Sequence, residues 1–397
     1  MDEQHLPASP WTQRADLAAL VAALDPAGEG LVRYVGGAVR DTLLDIAVKD
    51  IDMATPLEPP AVIERLKAAG IRSVPTGLAH GTVTAVLEGG PVEITTLRRD
   101  VSTDGRHATV AFSQDWQEDA ARRDFTINAL YADPRDLTVH DYFGGLDDLA
   151  ARRLRFIGEP QDRIREDYLR ILRYFRFQAR FGSLPADPDA EAACSALAPG
   201  LKGLSRERIA SELLMLLALP DPSATVARMA ELGVLAVILP EADSSALPPL
   251  IAAEHAHAIA PEPLRRFAAM LPADPSLAEL VGARLRLSIA QRKHLALVAA
   301  RSVPEEAARP LAYKVGREAA LDRLLIGGDS IAPLEGWDTP RFPLKGGMIV
   351  ARGVSAGPDV ARILRAVEAQ WVAESFPDEA RVMALLEAEI ARRSDLV

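Results

Sequence analysis

The stretch VGGAVRDTLLDIAVKDIDMAT, residues 35–55, carries the reading of the whole chain. A short β-rich run, LVRYV at 31–35, ends in Gly36-Gly37, and a helix-like segment, AVRDTLLDIA, starts directly after them. Two glycines between a strand and a helix let the backbone approach a phosphate, and the free N–H groups of the helix start face it. Arg40, one turn into that helix, can add a charge-assisted bond, whereas Asp41 suits either a helix start or the orientation of a loop. KDIDMA at 49–54 then alternates polar and apolar residues as a half-buried strand does. Residues two apart on a strand share a face, so Asp50 and Asp52 project together while Ile51 enters the core. Two carboxylates this close repel unless a cation lies between them. Magnesium suits them, because it accepts a few carboxylates and completes its shell with water and substrate phosphates. A solvated strand face would also explain an Asp-x-Asp tripeptide, and a tight turn would explain the glycines. The two features within one unit are far more specific than either.

Outward from this unit, RADLAALVAAL at 14–24 has helical spacing and is closed by Pro26 and Gly28. TVTAVLE at 82–88 and PVEITTL at 91–97 flank Gly89-Gly90, which predicts a β-hairpin and puts Glu93 on a strand able to supply a third acid. An α/β domain therefore extends to about residue 150, and everything after it reads as helical. One long amphipathic helix is predicted over 162–181, with Leu169, Leu172, Phe175 and Ala179 on its core face. Arg170, Arg173, Arg176 and Arg180 form a stripe that must point at solvent or a ligand. Asp167 and Arg170, three apart, would share a face of that helix. Breaks at 182–189, 240–249 and 272–276 suggest successive helical subdomains.

Composition bounds the rest. The 397 residues are 49% hydrophobic and 25% charged, enough for a substantial core and for two to four domains. The net charge of −11 argues against nucleic acid, yet residues 151–180 carry nine Arg against four acids, a local excess of +5. The lone Cys194 excludes an internal disulfide and a cysteine-based zinc cluster, and it fits a reducing cytosol. The start MDEQHLPASPW lacks the basic and apolar regions of a signal peptide, and no run of eighteen apolar residues exists, so a cytoplasmic location with no membrane partner is expected. His80, His107, His255 and His257 do not form a metal-ligand set.

At this point the residues resemble a known family. The 35–55 stretch is similar to the first motif of the class II CCA-adding enzymes and bacterial poly(A) polymerases, in the polymerase-β-like nucleotidyltransferase superfamily. The resemblance continues through HGTVTAVLEGGPVEITTLRRD (80–100), TDGRHATVAF (103–112), EDAARRDFTINALYAD (118–133), DYFGGLDDLAARRLRFIG (141–158), IREDYLRILRYFRFQARFG (164–182) and LSRERIASELLMLL (204–217). It implies an α+β fold: a mixed-sheet nucleotidyltransferase head followed by an all-helical neck, body and tail. The expected divisions are an N-terminal helix packing on the head (1–27), the catalytic head (28–152), the neck with a nucleotide-selecting helix (153–243) and a tRNA-binding body and tail (244–397).

The resemblance also implies roles. Asp50, Asp52 and Glu93 would be catalytic and hold magnesium ions in a two-metal site. Gly36, Gly37 and Arg40 would meet the triphosphate, and Arg123 the nucleotide. Asp124 and Asn128 would support the site or recognise the sugar. Asp167 and Arg170 would read the base edge of CTP or ATP, with Arg173 a further contact. Cytosine and adenine both present an amino group beside a ring acceptor, so one Asp/Arg pair can accept both and reject uracil and guanine. Arg99, Asp100 and Arg106 would belong to a flexible loop that helps the change from C to A addition. The implied reaction is template-free addition or repair of the 3′-terminal CCA of tRNA, with ATP and CTP as substrates and the tRNA acceptor arm as partner. No protein partner is inferable. A poly(A) polymerase, an enzyme adding only C or only A, or a non-catalytic RNA-binding relative are the alternatives. In the tail, Arg265, Arg266, Arg284, Arg286, Arg292, Lys293 and Arg301 read as surface residues that could contact phosphates.

Overall fold

The computed structural model describes residues 4–103, 108–301 and 307–394, and they form two compact units, 1–240 and 241–397. In the first unit the chain runs α1 (Ala15–Leu24), β1 (Arg33–Val35), α2 (Gly37–Leu43), β2 (Ile51–Thr55), α3 (Pro59–Ala68), β3 (Ser73–Gly77), β4 (Thr82–Leu87), β5 (Gly90–Thr96), β6 (Arg98–Thr103), β7 (Ala108–Phe112), α4 (Trp116–Ala121), β8 (Leu130–Ala132) and β9 (Val139–Asp141). Seven strands make one mixed sheet in the order β3-β4-β5-β2-β1-β8-β9, and β6 pairs with β7 in a separate ribbon. Only the β2–β5 pair is parallel, and it places Asp52 directly opposite Glu93. The 82–97 hairpin forms as predicted, with Leu87 opposite Gly90. The short strands β3, β8 and β9 and the β6–β7 ribbon are not foreseen by the alternation pattern.

The strand predicted over 49–54 begins at Ile51, so Asp50 lies just before it, exposed at its mouth. The N-terminal helix contacts the sheet and α3: Asp16 accepts from the Gly89 N–H at 2.9 Å, and Arg65 on α3 donates to the Leu24 carbonyl at the end of α1.

The first unit continues with α5 (Gly145–Ala150), α6 (Pro160–Glu166), α7 (Leu169–Phe181), α8 (Pro188–Leu197) and α9 (Arg206–Leu217). The helix predicted as continuous over 162–181 is thus two helices, broken at Asp167-Tyr168. Asp167 has extended backbone (φ −154, ψ 106), and its carboxylate accepts from the Leu169 N–H at 3.1 Å. A short acceptor competing for backbone N–H groups favours a helix start over a helix interior. Asp167 and Arg170 therefore do not share one helix face. The core face of α7 is also wider than predicted: Tyr174, Phe177 and Phe181 are buried beside Leu169, Leu172 and Phe175, while Ala179 is half-buried. Ser205 caps α9 by accepting from the Arg208 N–H, as the LSRER pattern suggests.

The second unit is helical. Arg265 and Arg266, read above as surface residues, are buried on the helix Pro263–Met270. Glu254 accepts from both, and Asp322 accepts from Arg265 at 2.6 Å and contacts His294 at 2.8 Å. A guanidinium can enter a core when its donors meet buried carboxylates, and local spacing cannot reveal that partnership. No described helix is long and apolar enough to cross a membrane.

Candidate active site

Gly36 closes β1 with φ +68, a left-handed conformation that glycine adopts freely. After the turn α2 packs on the sheet, and β2 returns beside β1 in antiparallel register. The two glycines and the two aspartates thereby reach the same end of the sheet. A cleft of about 610 Å³ opens there, lined by Gly36, Gly37, Arg40, Asp50, Asp52, Arg122, Arg123, Asp124, Asn128, Asp167, Arg170, Arg173 and Phe177. Sequence stretches from 36 to 177 converge on it, including every nucleotide-binding residue expected. Glu93 lies beside Asp52 on the neighbouring strand and is exposed, but it does not line the cleft.

Each arginine in the cleft is steadied by an acid or a backbone carbonyl. Arg40, buried, donates to Asp41 at 2.6–2.8 Å and to the Asn128 side-chain oxygen, and its guanidinium lies 4.2 Å from the Phe181 ring centroid. Asn128 in turn donates to Asp124 at 2.9 Å. Asp124 accepts from Arg173 at 2.5 and 2.8 Å. Burial opposes ionisation of Asp124, but Arg173, Asn128 and the Phe125 N–H outweigh it and hold its carboxyl below the usual range. Asn128 thus links Arg40 to Asp124.

Arg170 donates to Glu166 at 2.5 Å and to the carbonyls of Arg163 and Arg122. These three bonds leave two of its five N–H groups, one on Nε and one on Nη2, for a ligand. Asp167 accepts from Arg208 at 2.6 Å. The remaining arginines of the stripe turn to helix packing: Arg176 binds Glu212 at 2.6 Å, and Arg180 reaches Asp41 at 3.3 Å.

The acids on the sheet are different. No ion pair or side-chain hydrogen bond within the described residues engages Asp50, Asp52 or Glu93. Burial raises the Asp52 carboxyl to about 6; Glu93 and Asp50 add to this, and Arg123 opposes it. Unsatisfied hard oxygen donors beside a cleft fit a magnesium ion, which needs only one or two carboxylates and takes its other ligands from water and phosphate. Among the described residues, however, no three His, Cys, Asp or Glu side chains form a ready-made metal cluster. Asp50 and Asp52 are the pair that would hold the ion, with Glu93 one strand away.

Three residues escaped the sequence reading, and one of them, Phe177, lines the cleft from the buried side of α7. Arg122 lines the cleft next to Arg123, and Asp119 behind it binds both. An acid three and four residues ahead of two arginines was the available signal. The loop residues cannot be placed together: Arg99 is exposed on β6, the Asp100 side chain is not described, and Arg106 lies outside the described residues.

Comparisons with known proteins identify relatives of the chain. Residues 32–155 match a family model described as the Poly A polymerase head domain, and 186–245 match one described as a probable RNA and SrmB-binding site of polymerase A. The human mitochondrial CCA tRNA nucleotidyltransferase 1 is 35% identical over 88% of this chain and 84% of its own length. A CCA-adding enzyme of Streptococcus pyogenes is 43% identical over 47% of this chain and 46% of its own. Among solved structures, the Bacillus stearothermophilus CCA-adding enzyme in complex with CTP superposes with a TM-score of 0.75 at 26% identity, covering 98% of this chain and 100% of that one. The Thermotoga maritima CCA-adding enzyme complexed with tRNA shares the fold, with a TM-score of 0.73 at 20% identity over 99% of this chain and all of that one. The chain belongs to the family of CCA tRNA nucleotidyltransferases.

Proposed function

We propose that this chain builds or repairs the 3′-terminal CCA of tRNA, transferring CMP from CTP and AMP from ATP without a nucleic-acid template. One observation carries the reading: a crowded carboxylate pair, Asp50 and Asp52, shares a single cleft with the Asp167 and Arg170 side chains and with Arg123 and Arg173. In each cycle the tRNA 3′-oxygen bonds to the α-phosphorus, the bond to pyrophosphate breaks, and the hydroxyl proton passes to solvent water. Magnesium, when bound, would supply the charge neutralisation that favours both the attacking oxygen and the departing pyrophosphate. Asp50 and Asp52 would hold it, with Glu93 assisting.

Gly36, Gly37, Arg40 and Arg123 would grip the triphosphate, with Arg173 a further nucleotide contact. Asp124 and Asn128 would keep Arg40 and Arg173 in place. Asp167 would accept from the amino group of cytosine or adenine, and Arg170 would donate its two remaining N–H groups to the adjoining ring acceptor or carbonyl. Arg99, Asp100 and Arg106 would assist the change from C to A.

Residues 28–152 would act as the head and 153–243 as the neck, with 1–27 packed on the head; 244–397 would hold the tRNA acceptor arm. A cytoplasmic location belongs to the same reading, since Cys194 is a buried free thiol.

The test incubates the chain with tRNA lacking CCA, magnesium and each nucleotide singly and together, and sizes the products. Growth by C, C and A supports the proposal. Long A tails, addition that stops within CCA, or tRNA binding without incorporation would each replace it with a different reading.

A further inference from the structure

Asp119 does not line the cleft. It is 1% exposed, on the short helix α4. Nevertheless five donors converge on it. One carboxylate oxygen accepts from Arg122 Nε at 2.8 Å and from the Arg98 N–H at 3.3 Å, and Arg122 Nη2 lies 2.7 Å from it. The other accepts from Arg123 Nη2 at 3.1 Å and from the Tyr131 hydroxyl at 2.7 Å. Arg123 Nε also donates to Tyr131 at 3.1 Å, so acid, phenol and guanidinium close a ring. Burial alone would neutralise this carboxyl, but Arg123, Arg122 and Tyr131 hold it at about 2.

The charge balance is the informative part. One carboxylate serves two guanidiniums, and both guanidiniums line the cleft. The trio keeps a net charge of +1, with its negative member behind the wall and its positive members on the cleft side. That polarity suits an anionic ligand. The Arg122 carbonyl, set by the same contacts, accepts from Arg170 at 3.1 Å and so connects the trio to the residue assigned above to the base.

We propose that Asp119 is the positioning residue for the incoming triphosphate: it orients Arg122 and Arg123 from behind, and Arg122 is a second cation meeting the phosphates. This rests on reading the cleft as the nucleotide site. Asp119 does not contact substrate. It acts by limiting the freedom of two long side chains before the nucleotide arrives, which lowers the cost of binding.

The experiment measures KM for CTP and ATP and kcat, at saturating tRNA and magnesium, for Asp119→Asn, Arg123→Ala, Arg122→Ala and the double variant Asp119→Asn/Arg123→Ala. Asp119→Asn should raise KM for both nucleotides about tenfold, the scale of one charge-assisted hydrogen bond. Its kcat should change less, and its preference for CTP over UTP should persist. The double variant should lose less than the sum of the two single losses, because only Arg122 then remains as a partner through which the acid acts. Additive losses, or an unchanged KM in Asp119→Asn, overturn the proposal. If Arg123→Ala leaves KM unchanged, the nucleotide reading of the cleft fails as well; if Arg123→Ala raises KM and Asp119→Asn does not, only the positioning role fails. Tyr131→Phe removes the bond to Asp119 and the one from Arg123 Nε, and keeps the charge. It should raise KM by a smaller factor, and it decides the question if Asp119→Asn does not fold.

Discussion

Burial lifts the Asp52 carboxyl from its ordinary 3.8 to about 6; Glu93 and Asp50 push the same way, and Arg123 pulls against them. An acid whose folded pKa lies above its unfolded value binds protons preferentially in the folded chain. Without metal, Asp52 therefore favours the folded state below about pH 4, and that advantage is lost as pH rises toward 6 and beyond. Asp52→Asn should raise the unfolding temperature of the magnesium-free protein at pH 8 by a few degrees, with the gain shrinking toward pH 4. A calorimetric series in EDTA checks this; a lower melting temperature at pH 8 would contradict it. The same variant, and Asp52→Ala, should lose incorporation by at least about a hundredfold while retaining the helical circular dichroism. Stability gained where activity is lost marks a site kept for chemistry.

At the scale of elements, the break between α6 and α7 decides how Asp167 works. On a continuous helix it would have stood one turn from Arg170. At the break one of its oxygens accepts from the Leu169 N–H at the start of α7, and Arg208 on α9 holds the other. This ion pair is part-exposed on both sides, 46% and 32%, so it contributes less than about 1 kcal/mol to stability. On the proposed reading its value lies in aiming the carboxylate. Arg208→Ala should shift the melting temperature by no more than a few degrees yet lower the ratio of CTP to UTP incorporation, measured in competition on tRNA lacking CCA. Arg170→Ala should lower that ratio further while tRNA affinity changes little. Unchanged selectivity in both would remove this helix pair from base choice. In contrast, Arg176 and Arg180 pack against Glu212 and Asp41 and serve the joining of helices.

At the scale of the molecule, each unit carries its own core. One hydrophobic cluster of the first unit gathers Val35, Ala54, Leu97 and Tyr131 around the sheet. In the second unit, one cluster includes Leu311, Leu324 and Leu334, and another is built on Trp371, Val367 and Leu386. Beside the former sits the buried group of Glu254, Asp322, Arg265 and Arg266, with His294 at its edge. Removing one member strands a charge in low dielectric, so Glu254→Ala should cost about 3–5 kcal/mol, read as early unfolding of the second unit in denaturant. The hydrogen bond to Asp322 raises the His294 pKa above 6.5. A raised histidine contributes stability that is fully present below its unfolded pKa and lost as pH rises through the folded value. The second unit should therefore melt earlier at pH 8 than at pH 6, and His294→Gln should flatten that slope.

Much of this site is legible in the order of residues. Glycines between strand and helix, alternating acids on a strand and the EDYLR run are local patterns, and backbone sterics over a few residues dictate what they form. The resemblance carried by such runs implied the family and the mixed-sheet head with helices after it, and the sequence reading named every residue lining the cleft except Arg122 and Phe177. Pairings between distant segments were decided only by the tertiary structure. The parallel register that sets Glu93 opposite Asp52 depends on β5 docking beside β2, and nothing within either strand specifies it. The break at Asp167 depends partly on Arg208, far along the chain. Arg265 and Arg266 look like surface residues until Glu254 and Asp322 meet them in a core, and Asp119 looks like an ordinary helix acid until two arginines and a tyrosine close around it. Charge does not announce its partner locally: whether a carboxylate binds a metal, steadies an arginine or faces water depends on burial, and burial is a property of the packed chain.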